Sequence, residues 1–219
     1  MASPTPLHLE AQIKLLERFC DGFHLDLMDD HFVPDIWIGT KIVEEIARIT
    51  EAPLWVHLMV DDPIRWIERL ENFSNRIIIS IHAETLPNDA QKKRDVVDTF
   101  LQKFPDVGIA LCPETELTEI VSLMDIIQHL VIMSVNPGRS GQDFLETTWN
   151  KIKKVRTIQS NHQFSFRLCI DGGVTMRVMP RLIKAGIIDF AVGDEIFGSA
   201  DIEESIKLLC FLIKKESEH

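Results

Sequence analysis

The chain has 219 residues, 45% hydrophobic and 26% charged, with a formal net charge of −11. That apolar fraction excludes intrinsic disorder, and an acidic balance without a large Lys/Arg cluster excludes a general nucleic-acid binder. No run of 18 apolar residues reads as a membrane span, and the opening MASPTPLHLE lacks the basic-then-apolar order of a signal peptide.

In chain order, Leu7–Phe19 reads as a helix and Gly22–Met28 as a strand. The alternation then continues with a helix at Lys41–Ile49 and a strand at Leu54–Val60. Pro63–Leu70 is helical, with Pro63 acceptable in the first turn, and Arg76–His82 is a strand. Asp89–Phe104, Thr115–Leu123 and Leu145–Gln159 read as helices around strands at Val107–Leu111 and Leu130–Val135. Phe166–Ile170 is a strand, followed by the helix Thr175–Ala185, which Gly186 ends by its freedom to turn left-handed. A strand at Asp189–Val192 and a helix at Ile202–Lys215 complete the pattern. The strands are almost continuously apolar, which suits burial on both faces. Seven strand–helix units imply a parallel sheet. Eight units would close a barrel; seven leave an open doubly wound sheet or an incomplete barrel. No Gly-, Pro- or Ser-rich linker divides the chain, so residues 1–219 are expected to form one domain. Cys20, Cys112, Cys169 and Cys210 contain no C-x-x-C pair and read as buried thiols in a reducing cytoplasm.

Functional residues of a parallel barrel gather where strands end and loops begin. Two of the eight histidines stand out there, inside apolar runs. In the first strand, period-2 alternation puts His24, Asp26 and Met28 on one face and turns Leu25 and Leu27 toward the helices. His57 and Met59 share a face of the next. Asp171 closes a later strand and is followed at once by Gly172 and Gly173. Imidazoles and carboxylates pointing inward are costly unless something pairs with them. His24, Asp26, His57 and Asp171 together suit one borderline divalent ion, Zn, Mn, Fe or Co. Three glycine-bearing corners offer backbone N–H groups to an anion: Gly138-Arg139-Ser140-Gly141, Gly172-Gly173 and Gly193-Asp194.

Residues 24–34 (HLDLMDDHFVP), 56–59 (VHLM), 133–142 (MSVNPGRSGQ) and 170–173 (IDGG) resemble the ribulose-phosphate 3-epimerase family, in order and spacing, from about Leu9 to Gly198. The resemblance implies a TIM (β/α)8 barrel that inverts C3 of a ketose phosphate, interconverting D-ribulose 5-phosphate and D-xylulose 5-phosphate in the pentose phosphate pathway. It places the metal ligands on His24, Asp26, His57 and Asp171, and the acid/base pair on Asp26 and Asp171. It puts Met28, Met59 and Met133 around the reacting carbon. A small sugar phosphate is the implied partner, and a cytoplasmic homo-oligomer the implied assembly, with no nucleic acid or membrane. The chemistry fits these residue types, because inverting a carbon next to a carbonyl needs a base on one face and an acid on the other.

Three departures from the family pattern stand out. The family's first strand is missing, with Met1-Ala2-Ser3 at best its tail, which leads to the expectation that the natural polypeptide starts further upstream. Asp194 and Glu195 stand where the family has a small polar residue, and they repel a phosphate unless they turn away to cap the helix, with Arg139 compensating. Asp30 replaces a Gly or Asn and reads as a solvated acid. Two other functions compete: a 3-epimerase of a hexulose 6-phosphate such as allulose 6-phosphate, and a catalytically impaired ligand-binding homologue. A decarboxylase on a related barrel would want Lys two residues after Asp26, where Met28 stands.

Overall fold

The computed structural model describes residues 6–217; Met1-Ala2-Ser3, expected as a strand remnant, lies outside them. A 3₁₀ turn leads into α1 (Leu9–Leu16), followed by β1 (Phe23–Asp29), the two-residue β2 (Ile36–Trp37) and α2 (Thr40–Ile49). Then come β3 (Leu54–Met59), α3 (Ile67–Leu70), β4 (Ile77–His82), α4 (Ala90–Leu101), β5 (Asp106–Leu111) and β6 (His129–Met133). The remainder is α5 (Thr148–His162), β7 (Arg167–Asp171), α6 (Met179–Lys184), β8 (Asp189–Ala191), α7 (Asp194–Phe197) and α8 (Ile202–Ser217). All seven strands expected from the sequence are present, with ends within two residues of the expected ones.

The helices hold more surprises. Pro63–Leu70 begins as a 3₁₀ turn, Pro63–Trp66, and becomes α-helical only at Ile67. Thr115–Leu123, expected as an α-helix, is a 3₁₀ helix over Leu117–Leu123. Its buried residues are Leu117, Ile120 and Leu123, spaced by three, and three residues per turn stacks them on one face. α4 starts where the Asp89 carboxylate accepts the Lys92 N–H at 2.9 Å.

The sheet order is β2-β1-β3-β4-β5-β6-β7-β8, parallel throughout except for β2, which runs antiparallel to the end of β1. This is the curled sheet of a TIM barrel, in which β1 and β8 are not paired with each other among the described residues. Leu25, Leu27, Val56, Leu58, Ile79 and Ile81 point outward into the main apolar core beneath the helices. Each such side chain contributes roughly 1.5–3 kcal/mol on burial. The other face of the same strands turns inward, and register aligns it: Asp26 sits beside His57, and His57 beside Ser80.

The helical layer joins the two ends of the sheet. The Cys210 thiol on α8 donates to the Phe19 carbonyl just after α1 at 3.2 Å, and Arg18 pairs with Glu203 at 3.1 Å. Behind that contact lies a cavity of about 780 Å³, lined near the seam by Phe23, Phe190, Ile206 and Leu209. Among the described residues no helix is long and apolar enough to cross a membrane.

Candidate active site

Strands β1, β3 and β7 bring His24, Asp26, His57 and Asp171 together, with His24 near the start of β1 and Asp171 at the end of β7. His24 Nε2 lies 3.2 Å from Asp26 Oδ1 and 3.5 Å from Asp171 Oδ2. His57 Nδ1 lies 3.6 Å from Asp26 Oδ1, 3.2 Å from Asp171 Oδ2 and 3.3 Å from His24 Nε2. These are five of the six edges of a tetrahedron, and all four donor atoms fall within 4.8 Å of one another. A tetrahedron with edges of about 3.4 Å has its centre about 2.1 Å from each corner, the usual distance from a divalent transition metal to nitrogen or oxygen. The four residues therefore fit one such ion in both size and donor chemistry.

The electrostatics follow from this crowding. Burial works against charge on Asp171, yet the charge of His24 and hydrogen bonds from His24 and His57 hold its carboxyl well below the usual carboxylate range. Asp26 moves the same way against its own burial, under neighbouring positive charge and hydrogen bonds from both histidines. His57 is fully buried, which disfavours its charge, but hydrogen bonds to Asp171 and Asp26 prevail and push it up to about 9.

Met28, Met59 and Met133 are buried and line the cavity alongside Asp26 and Asp171. They come from two inner apolar groups, Met28 and Met59 with Val33, and Met133 with Ala110, Val131 and Cys169. Gly138, Arg139, Ser140, Gly141, Gly172, Gly173, Gly193 and Asp194 also line the cavity. Gly172 has φ 100°, and a Cβ there would meet the Val135 side chain at 2.3 Å, so the corner after β7 admits only glycine.

One expectation at the last corner fails. Neither Asp194 nor Glu195 caps α7, which has no side-chain cap. Instead the Asp194 carboxylate accepts the Gly141 N–H, and Glu195 Oε1 accepts the Met176 N–H at 3.2 Å. The reason is geometric: side chains of a first helical turn at a strand–helix corner reach sideways, where neighbouring corners present free N–H groups. Arg139 lines the same cavity. Asp30, the third departure, is exposed with φ 59°, a left-handed position that Gly, Asn and Asp tolerate best.

The sequence reading missed polar residues on the same inner face. His82 and Glu84 lie directly behind His57, and His57 Nε2 is 2.9 Å from His82 Nε2. Deeper in the barrel, His129 Nδ1 donates to Asp106 at 2.8 Å, and Arg167 bridges Asp106 and Asp189 at 2.7 and 2.9 Å. Trp55 Nε1 donates to Ser80 Oγ, which lies 2.7 Å from His129 Nε2. The available signal was period-2 alternation through Ser80 and His82, which puts both on the face occupied by His57.

The model of the family described as "Ribulose-phosphate 3 epimerase family" matches residues 1–197. A ribulose-phosphate 3-epimerase of Bacillus subtilis is 33% identical over 197 residues, covering 89% of this chain and 88% of that protein. The chloroplastic ribulose-5-phosphate-3-epimerase of Arabidopsis thaliana is 34% identical, covering 91% of this chain and 70% of that one. Among solved structures, KGPDC from Streptococcus mutans superposes with a TM-score of 0.65 at 12% identity, covering 95% of this chain and 90% of that one. A 3-hexulose-6-phosphate synthase does so with a TM-score of 0.65 at 14% identity, covering 93% and 92%. At those identities the structural neighbours speak to the fold alone, a TIM barrel. The family match and the two relatives say more: the chain belongs to the ribulose-phosphate 3-epimerase family, isomerases acting on carbohydrates.

Proposed function

We propose that the chain interconverts D-ribulose 5-phosphate and D-xylulose 5-phosphate by moving a proton at C3 between two carboxylates. The observation that carries this reading is the cage of two histidines and two aspartates on the inner face of β1, β3 and β7, opening on a cavity of about 780 Å³. The names borne by the relatives from Bacillus subtilis and Arabidopsis thaliana favour a pentulose over a hexulose.

Asp26 reaches the cavity from β1 and Asp171 from β7, so the carboxylates approach a bound sugar from different walls. One, ionised, takes the C3 proton and leaves an enediolate; the other enters the cycle protonated and gives that proton to the opposite face, so the pair ends with one proton still between them and the roles exchange with reaction direction. A divalent ion held by His24, His57, Asp26 and Asp171 supplies Lewis-acid stabilisation of the developing negative charge when bound. His57 would join that cage through its Nδ1, the nitrogen that faces His24, Asp26 and Asp171. Met28, Met59 and Met133 fill space around the planar intermediate with thioethers that have no proton to give. Backbone N–H groups of the Gly138–Gly141 loop, of Gly172-Gly173 and of Gly193 receive the phosphate. The catalytic unit is a single domain over residues 1–219, working in the cytoplasm as a homo-oligomer.

The test combines elemental analysis of the purified protein with a pentulose epimerisation assay after reconstitution with Zn²⁺, Mn²⁺, Fe²⁺ or Co²⁺. One equivalent of metal and conversion of ribulose 5-phosphate support the reading. Turnover of a hexulose 6-phosphate alone would reassign the substrate. Binding without turnover under all four metals would make the chain a ligand-binding homologue.

A further inference from the structure

Behind His57 runs a chain of hydrogen bonds that ends in a carboxylate. His57 Nε2 lies 2.9 Å from His82 Nε2, and His82 Nδ1 lies 3.0 Å from Glu84 Oε2. The other carboxylate oxygen, Glu84 Oε1, accepts the Cys112 N–H at 2.9 Å and the Thr115 hydroxyl. Those two donors sit on a loop that Lys151 of α5 staples through the carbonyls of Cys112, Pro113 and Thr115 at 2.7–2.8 Å. His82 is fully buried, with Phe32 packed against its ring at 4.5 Å.

Each link in this chain has only one polarity. An ionised carboxylate only accepts, so the proton between Glu84 and His82 belongs to His82 Nδ1. Neutral His82 then presents a lone pair at Nε2, and the group facing it must be an N–H. That places a hydrogen on His57 Nε2. The remaining His57 nitrogen, Nδ1, is the one that faces His24, Asp26 and Asp171.

We infer that Glu84, acting through His82, is the positioning group that directs the His57 Nδ1 lone pair into the metal cage. The inference rests on the reading of His57 as a metal ligand. A metal-bound histidine needs its second nitrogen to hold a hydrogen bond, which fixes both tautomer and ring orientation. Here that partner is another imidazole, itself polarised by a carboxylate. The competing role for His82, Glu84 and Cys112 is a second metal site, since their donor atoms also cluster within 4.8 Å. Glu84 already accepts three hydrogen bonds, one of them from His82 Nδ1, the nitrogen that faces Cys112 and that a second ion would need. Strong depression of Glu84 to about 2 agrees with a carboxylate that stays ionised while it accepts.

The test uses long-range ¹H–¹⁵N NMR of the imidazoles and Zn²⁺ competition against a chelator, on the full chain. In the wild type, His82 is expected as the Nδ1–H tautomer with and without Zn²⁺, and His57 as the Nε2–H tautomer in the Zn²⁺ form. Glu84→Ala should mix the His82 tautomers and weaken Zn²⁺ binding by about 10–100-fold. His82→Leu should weaken it equally, whereas His82→Gln, whose amide oxygen again accepts from His57, should recover most of the loss. Circular dichroism confirms that each variant is folded. A wild-type His82 in the Nε2–H form would overturn the relay. So would Zn²⁺ affinities within twofold of wild type in both Glu84→Ala and His82→Leu. If Zn²⁺ shifts neither His24 nor His57 in the wild type, the metal cage itself fails and takes the relay with it.

Discussion

Replacing Asp194 by Ser should make the protein a better enzyme for a phosphorylated sugar. In the structure the Asp194 carboxylate occupies the Gly141 N–H, one of the donors a phosphate would use. A phosphate arriving at that corner must break this bond, a cost of about 1 kcal/mol. It also meets a negative charge about 5 Å away, a repulsion of roughly 2 kcal/mol in solvent-like dielectric that screening at physiological salt halves. The two terms sum to about 2 kcal/mol, which is about 30-fold in affinity. Asp194→Ser should therefore lower KM for D-ribulose 5-phosphate by about that factor and leave kcat within about threefold, since Asp194 touches no reacting atom. Asp194→Asn, which removes the charge alone, should give about half of that free energy, roughly a fivefold lower KM, and this part of the gain should shrink at high salt. Initial rates at two ionic strengths measure all of this. A KM unchanged within twofold in both variants would show that the carboxylate swings clear when substrate enters, and would refute the repulsion.

Three further changes bear on the site. Asp171→Asn should keep the fold by circular dichroism and lower turnover by about 10²–10⁴-fold; normal turnover would remove Asp171 from the acid/base pair. His57→Ala should abolish stoichiometric metal, read by elemental analysis after dialysis, and a full equivalent of bound metal would exclude His57 from the cage. Glu84, depressed from 4.5 to about 2 by His82, Thr115 and the Cys112 N–H despite its burial, stabilises the fold fully above about pH 4.5. That contribution, roughly 3 kcal/mol, is lost as pH falls toward 2. Chemical unfolding between pH 6 and 2.5 should therefore show a steeper acid loss for the wild type than for Glu84→Gln, and parallel curves would contradict the assignment.

Much of this site was legible because a strand is a strict two-residue alternator. Once His24, Asp26 and Met28 share a face, so do His57 and Met59, and parallel register then sets Asp26 beside His57. Asp171 followed by two glycines marked a strand end in the same way. The polar layer beneath was not legible. Asp106, His129, Arg167 and Asp189 sit on four different strands, and only the curl of the sheet makes them partners. His82 closes an apolar run, and nothing local tells that Glu84 turns back to meet it. The Leu117–Leu123 segment shows the limit of helical periodicity: a spacing of three marks an apolar face without choosing between α and 3₁₀ winding. The turn that carries β2 escaped because two residues are too few to alternate.

The central claim, two carboxylates trading a proton across a sugar held in a metal cage, is tested most directly by isotope incorporation. The reconstituted enzyme is run on D-ribulose 5-phosphate in D₂O, and the product is read at C3 by proton NMR. Xylulose 5-phosphate carrying solvent deuterium at C3, formed by the wild type and nearly absent with Asp171→Asn, is the predicted result. Inverted product that keeps its original hydrogen at C3 would contradict it.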